Sequence, residues 1–264
     1  MLARTRDIDT AWFEIGRGPA LILLHGLADD HRLWRKVLPA LVMRNRVILY
    51  DIRGHGQSTL GNAEGNLQQL GDDLVALMDA VGVEKASLAG FSLGGTIVLR
   101  VAIDHPQRVE SLFPVATSSR VGSAAAQWYR DRADHAGDLR AVIDQDTVDA
   151  YHISPGELED GLALRRQSTV DPAGYRNAAR AMAALNAAPL DPELGKIKAP
   201  TLVISTDLDQ HCPPRAGEIV RAGIPGAVMQ VINGSGHMVP AEKPADLGLL
   251  IQSFLTPAAL STRS

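Results

Sequence analysis

Cysteine is almost absent from this chain: of 264 residues, only Cys212 carries a thiol. One cysteine cannot close an internal disulfide, so the fold does not depend on an oxidising compartment. Aromatic residues are scarce too, at 4%, which argues against stacking platforms for nucleic-acid bases. No block of basic residues stands out and the formal net charge is −4, so the electrostatic footprint of a nucleic-acid binder is missing. Long hydrophobic runs are missing as well. Stretches such as Ala20 to Leu24 are far too short to span a bilayer. The opening residues, Met1-Leu2-Ala3-Arg4-Thr5-Arg6-Asp7, contain no apolar core of a secretory signal. The expectation is a cytoplasmic protein whose partner is a small molecule, with no nucleic acid and no membrane. The oligomeric state is left open.

What is present is an ordinary globular composition, 45% hydrophobic and 21% charged, in a chain long enough to bury a large core without staples. Short apolar runs alternate with helical patterns. Strands are expected at Thr10 to Ile15, Leu21 to Leu24, Val47 to Tyr50, Ala86 to Phe91, Val109 to Val115, Thr201 to Ser205 and Val228 to Ile232. Helical spacing marks Leu33 to Arg44, Leu67 to Val81, Leu93 to Ile103, Arg215 to Ala222 and Leu247 to Leu255. This alternation implies an α/β fold with a mostly parallel central sheet flanked by helices. One stretch interrupts it. From 117 to 196 there is no convincing strand, and four helices are expected: Ala124 to His135, Leu139 to Tyr151, Pro155 to Gln167 and Pro172 to Ala187. The organisation inferred is a core of residues 1–116 and 197–264, with an all-helical cap of residues 117–196 inserted after the strand near 109–115.

Gly90-Phe91-Ser92-Leu93-Gly94-Gly95 is a G-x-S-x-G sequence between an expected strand and an expected helix. A serine there sits on a sharp turn that exposes its Oγ, and the glycines let neighbouring backbone come close. Ser92 is therefore the candidate nucleophile. The following helix turns its N-terminus toward the site, which favours developing negative charge. Histidine suits the base because its pKa lies near neutrality. With a serine on such a turn, the acid and then the histidine follow in chain order. His237, in Gly234-Ser235-Gly236-His237 after the strand at 228–232, is the candidate base; His211 leaves too little chain for the acid before it. Asp207 and Asp209 both follow the strand at 201–205. Asp209 is favoured as the acid and Asp207 stays open. The Asp-x-Asp pair lacks further clustered ligands, so no metal is expected. The oxyanion donors are expected to be the backbone N–H groups of Leu93 and Leu27, with Ala28 as the alternative to Leu27. His25 and His55 are read as structural.

Together, His25-Gly26, Asp51-x-Arg53-Gly54-His55-Gly56-x-Ser58, Gly90-x-Ser92-x-Gly94-Gly95, Asp209 and Gly236-His237 resemble the α/β-hydrolase superfamily over nearly the whole chain. A closer likeness is to the 3-oxoadipate enol-lactonases. It rests on Ala116-Thr117-Ser118-Ser119-Arg120-Val121-Gly122 leading to Trp128 and Arg130, on Asp171-Pro172-x-Gly174-Tyr175, and on Ile197 to Ser205. The resemblance implies the α/β-hydrolase fold and serine-dependent hydrolysis of a carboxylic ester or lactone through an acyl-serine. It also implies no metal or organic cofactor, and a substrate pocket lined by cap residues, for which Trp34 and Trp128 are the candidates. Two departures stand out. Thr206 replaces the usual glycine after the acid strand, and Phe91 precedes the serine where many C–C bond hydrolases carry Asn. Gly-Phe-Ser also occurs in cofactor-free haloperoxidases and perhydrolases, so C–C hydrolysis and perhydrolysis on the same triad are the alternatives. A non-catalytic small-molecule receptor of the same fold is a third.

Overall fold

The computed structural model describes residues 1–134, 138–152, 155–168 and 171–256. Eight strands form one sheet: β1 (Leu2–Thr5), β2 (Ile8–Ile15), β3 (Ala20–Leu24), β4 (Arg46–Tyr50), β5 (Ala86–Phe91), β6 (Val109–Val115), β7 (Leu202–Thr206) and β8 (Val228–Ile232). Their order is β1-β2-β4-β3-β5-β6-β7-β8. Only the β1–β2 and β2–β4 pairings are antiparallel; β4, β3, β5, β6, β7 and β8 run parallel. This is the mostly parallel sheet that the alternation implied. The β1 strand was not anticipated. Its four residues, Leu-Ala-Arg-Thr, carry no apolar run, and it exists through its pairing with β2.

The central strands are buried on both faces, and alternate residues enter different layers. Ile22 and Leu24 join a cluster with Leu70, Leu74, Ile97 and Val101, whereas Leu21 and Leu23 join one with Trp34, Val37, Phe113 and Ile251. The first layer belongs to α2 (Leu67–Ala80) and α3 (Leu93–Asp104), and the second to α1 (Leu38–Leu41) and α10 (Pro244–Leu255). The long helix expected over 33–44 is instead a 3-10 turn, His31–Lys36, followed by the single turn of α1. Pro39 explains the break. It has no N–H, and in a continuous helix its ring would collide with the carbonyl four residues back.

Between β6 and β7 lie four helices: α4 (Ser123–Asp134), α5 (Leu139–Ala150), α6 (Pro155–Ser168) and α7 (Pro172–Ala184). The expected helices lie within a few residues of these; His135 falls outside the described residues. Packing joins α4 to α7 and α5 to α6, and the buried Tyr175 of α7 donates its hydroxyl to Asp146 of α5 at 3.0 Å. After β7 come α8 (Pro214–Gly223) and, following β8, the short α9 (Val239–Glu242). No described helix is long and apolar enough to cross a membrane.

The Asp51-to-Ser58 segment works as scaffold. Asp51 accepts hydrogen bonds from the backbone N–H groups of His31 and Gln57, both at 2.9 Å. Gly56 lies against it so closely that a Cβ there would fall 2.3 Å from the carboxylate. Arg53 is buried and forms two 2.7 Å bonds to Asp73 and a third, 2.8 Å, to Asp7. That network pins the turn after β4 to β1–β2 and to α2.

Candidate active site

Ser92 lies between β5 and α3 with φ +52° and ψ −117°, a strained conformation for a residue with a Cβ. The neighbouring glycines make the turn possible. A Cβ on Gly90 would fall 2.2 Å from the Gly94 carbonyl oxygen, one on Gly94 would fall 2.5 Å from that of His25, and one on Gly95 would fall 2.6 Å from the Thr117 Cβ. The backbone N–H of Ser92 donates to Val115 at 2.9 Å. The serine thus sits above the C-terminal ends of the parallel strands, where open α/β sheets bind ligands.

The structure brings the three expected residues together in one chain of hydrogen bonds. His237 Nε2 lies 3.0 Å from Ser92 Oγ, and its Nδ1 lies 2.8 Å from Asp209 Oδ2. The other Asp209 oxygen accepts the N–H groups of His211 and Cys212, both at 2.8 Å. Burial pushes the Asp209 pKa up. The charge and hydrogen bond of His237, with the two backbone donors, outweigh it, and the carboxyl ends below its ordinary value. Asp207 points elsewhere: its Oδ1 accepts from Gly234 N at 2.7 Å and Ser235 N at 3.3 Å, inside the loop that carries the histidine. That loop is also fixed by the buried Glu242, which accepts from Gly236 N at 2.6 Å and Ser235 Oγ at 3.0 Å. The backbone N–H of His237 donates to Ala150 at the end of α5, at 3.0 Å.

Around Ser92 is a small chamber of about 40 Å³, lined among others by Leu27, Phe91, Trp128, Tyr129, His211 and His237. A wider groove of about 380 Å³ opens beside it, between Ala150–His152 and Leu208–His211, and shares Ala150, His211 and His237 with the chamber. Leu93 opens α3, so its N–H has no acceptor within the helix. Leu27 lies in the loop after β3, and Ala28 beside it has φ +64°. Of the two tryptophans, Trp128 lines the chamber, with the Arg132 guanidinium 3.5 Å from its ring centre. Trp34 corrects the expectation. It is fully buried in the layer with Leu21, Val37 and Phe113, on the far side of the sheet from α2 and α3. Its ring fills that apolar layer, while its Nε1–H meets no acceptor among the described residues.

The chamber also holds residues that no local pattern marks as site residues, among them His211, Asp29 and Arg165. The His211 ring lies 5.1 Å from that of His237, tilted 48° to it, and burial, then the His237 charge, lower its pKa. Asp29 and Arg165 carry no local motif and meet only through the fold. Asp30, His31 and Asp51 bring ligand-type atoms within 4.8 Å of one another, but Arg32 occupies Asp30 and the His31 ring bonds Asp51 at 2.7 Å, so these groups satisfy one another.

The profile of the alpha/beta hydrolase fold family matches residues 19–244. The chain belongs to that family. It is 30% identical over 240 residues to 3-oxoadipate enol-lactonase 1 of Acinetobacter baylyi, covering 90% of this chain and 88% of that one. It is 33% identical over 248 residues to the dihydrolipoyllysine-residue acetyltransferase component of the acetoin cleaving system of Pseudomonas putida, where the match covers 92% of this chain but spans only 66% of that protein's length. Among solved structures, the enol-lactonase of Burkholderia xenovorans superposes with a TM-score of 0.89 at 26% identity, covering 97% of this chain and 99% of that one. The protein is an α/β-hydrolase with enol-lactonase-like relatives.

Proposed function

We propose that this hydrolase cleaves a small carboxylic ester or lactone through an acyl-enzyme on Ser92. The observation that carries the reading is the unbroken chain from Ser92 Oγ through His237 to Asp209, at 3.0 and 2.8 Å. Asp209 accepts from Nδ1–H, which leaves Nε2 unprotonated and ready to take the serine proton. Ser92 Oγ attacks the carbonyl carbon as His237 takes that proton. The N–H groups of Leu27 and Leu93 receive the oxyanion; losing one such donor costs about 3 kcal/mol of transition-state stabilisation. Collapse expels the alcohol oxygen, protonated by His237. Water activated by the same imidazole then releases the acid. A chamber of about 40 Å³ beside an open groove suits a compact acyl part next to the serine and a larger group outside it. The four inserted helices act as the cap over this site.

The test is a hydrolysis screen of wild type and Ser92→Ala with a chromogenic short-chain ester and a lactone panel that includes the 3-oxoadipate enol-lactone. Lactone opening that disappears in the variant supports the lactonase reading, and ester cleavage with inert lactones narrows it to a carboxylesterase. Turnover retained in Ser92→Ala removes the mechanism. Silence on both substrate classes turns the question to ring-cleavage products and peroxide.

A further inference from the structure

Arg165 belongs to α6, in the inserted helices, yet its side chain is buried against the core loop 26–29. Its Nη2 donates to the Leu27 carbonyl at 2.7 Å and its Nη1 to Thr147 Oγ1 of α5 at 3.2 Å. Its Nε lies 3.1 Å from Asp29 Oδ1, an ion pair whose angle falls outside hydrogen-bond geometry. Neither oxygen of the buried Asp29 accepts a hydrogen bond from a described residue. The guanidinium is thus the charge that compensates this carboxylate, and a buried carboxylate without one is strongly disfavoured.

The loop it touches carries the expected oxyanion donor. On one side of Leu27, Ile52 N–H donates to His25 Nε2 at 2.9 Å, so the proton sits on His25 Nδ1, which donates to the Gly26 carbonyl at 2.8 Å. That bond holds the peptide whose N–H is Leu27's. On the other side, Arg165 holds the carbonyl of the next peptide, whose N–H belongs to Ala28. His25 thus orients the Leu27 N–H directly, and Arg165 acts on it from the next peptide by fixing that peptide's plane. The loop needs such a hold. Ala28 sits at φ +64°, the left-handed region that a residue with a Cβ adopts only at a cost, and the turn bond across it, Asp29 N–H to the Gly26 carbonyl, is long at 3.3 Å.

We propose that Arg165 is a positioning residue: it clamps the Leu27–Ala28 peptide from the cap side, so that oxyanion stabilisation depends on the inserted helices being seated. The inference rests on Ser92 forming tetrahedral adducts, as in the function proposed above, but not on the identity of the substrate. The step to follow is therefore the reaction of Ser92 with a fluorophosphonate probe. Its Oγ–P bond forms as the P–F bond breaks, His237 takes the serine proton, fluoride leaves, and the charged phosphoryl oxygen occupies the oxyanion position.

Arg165→Met should slow labelling roughly 10- to 100-fold, the scale of one weakened oxyanion donor, with an unchanged far-ultraviolet spectrum. Millimolar methylguanidinium should recover part of the rate, and Arg165→Lys, which keeps the charge but not the fork, should fall between the two. Affinity for a trifluoromethyl ketone, which forms an oxyanion adduct, should fall with the labelling rate, while affinity for a neutral product-like alcohol stays within about threefold. Should Arg165→Met fail to fold, the Arg165→Lys comparison carries the same test. A folded variant that labels within about twofold of wild type, against the loss expected of an oxyanion donor, overturns the proposal. So does equal loss of affinity for ketone and alcohol, which would make Arg165 a general binding residue. Wild type that labels at Ser92 but hydrolyses neither esters nor lactones would defeat the proposed function and leave this comparison intact; wild type that does not label at all removes both.

Discussion

Replacing Asp209 by Asn separates two acids that lie two positions apart and both follow β7. In the wild type one Asp209 oxygen is held by the N–H groups of His211 and Cys212 at 2.8 Å, and the other faces His237 Nδ1 at 2.8 Å. An Asn side chain has one oxygen and one NH2 group. The two backbone donors keep the oxygen on their side, so the NH2 must face the imidazole. Nδ1 then has to accept, and the proton moves to Nε2, the nitrogen that has to receive the proton of Ser92. A wrong tautomer of this kind costs roughly four orders of magnitude in kcat, or about 5 kcal/mol of barrier. Asp207→Asn is nearly isosteric in the role Asp207 plays. Its Oδ1, which accepts from Gly234 and Ser235, is retained as the amide oxygen. The loss there should be less than about 1 kcal/mol of loop stability, with turnover little changed. The assay is steady-state hydrolysis of the substrate that wild type turns over fastest, at pH 7 to 8, with both variants confirmed as folded by thermal melting. An Asp209→Asn enzyme within tenfold of wild type, or an Asp207→Asn enzyme equally impaired, refutes the assignment of the acid and the tautomer argument with it.

Ser92→Gly should abolish turnover yet raise stability by about 1 kcal/mol, because glycine relieves the positive φ of 52° at the turn; urea unfolding that shows a less stable variant would refute the strain. Gly94→Ala should cost about 2–3 kcal/mol, since the new Cβ meets the His25 and Leu24 carbonyl oxygens at 2.5 and 2.7 Å, and kcat should fall as the loop with Leu27 shifts away from Leu93; wild-type stability in urea would contradict the close approach. Burial lowers the His55 pKa to about 4 from 6.5. Below pH 6.5 the unfolded chain therefore binds a proton that the folded one refuses, and stability falls by roughly 3 kcal/mol between pH 6.5 and 4. His55→Gln should flatten that slope in unfolding titrations at pH 7 and pH 5, and an unchanged slope would exclude His55 as its source.

Periodicity and local sterics made much of this protein readable from its sequence. The continuous apolar runs of β3 to β7 follow from burial on both faces of the sheet, and the helical spacing of α2, α3 and α10 from burial of a helix face, which needs no knowledge of distant partners. Ser92 was legible for a similar reason: a serine among glycines at a strand–helix junction serves a turn that few other sequences can make. His237 followed from its loop position at the end of β8. The tertiary structure decided whatever rests on contacts between distant segments. Asp207 and Asp209 have the same chemistry and nearly the same place in the chain, and only the path of the loop after β7 turns one of them to a histidine 28 residues away. Trp34 and Trp128 look alike in sequence, but one fills a layer under the sheet and the other lines the chamber. The short β1 strand exists because β2 offers it an edge. Arg165 reaches a carbonyl 138 positions back along the chain, and no local pattern encodes a contact between segments that far apart in sequence.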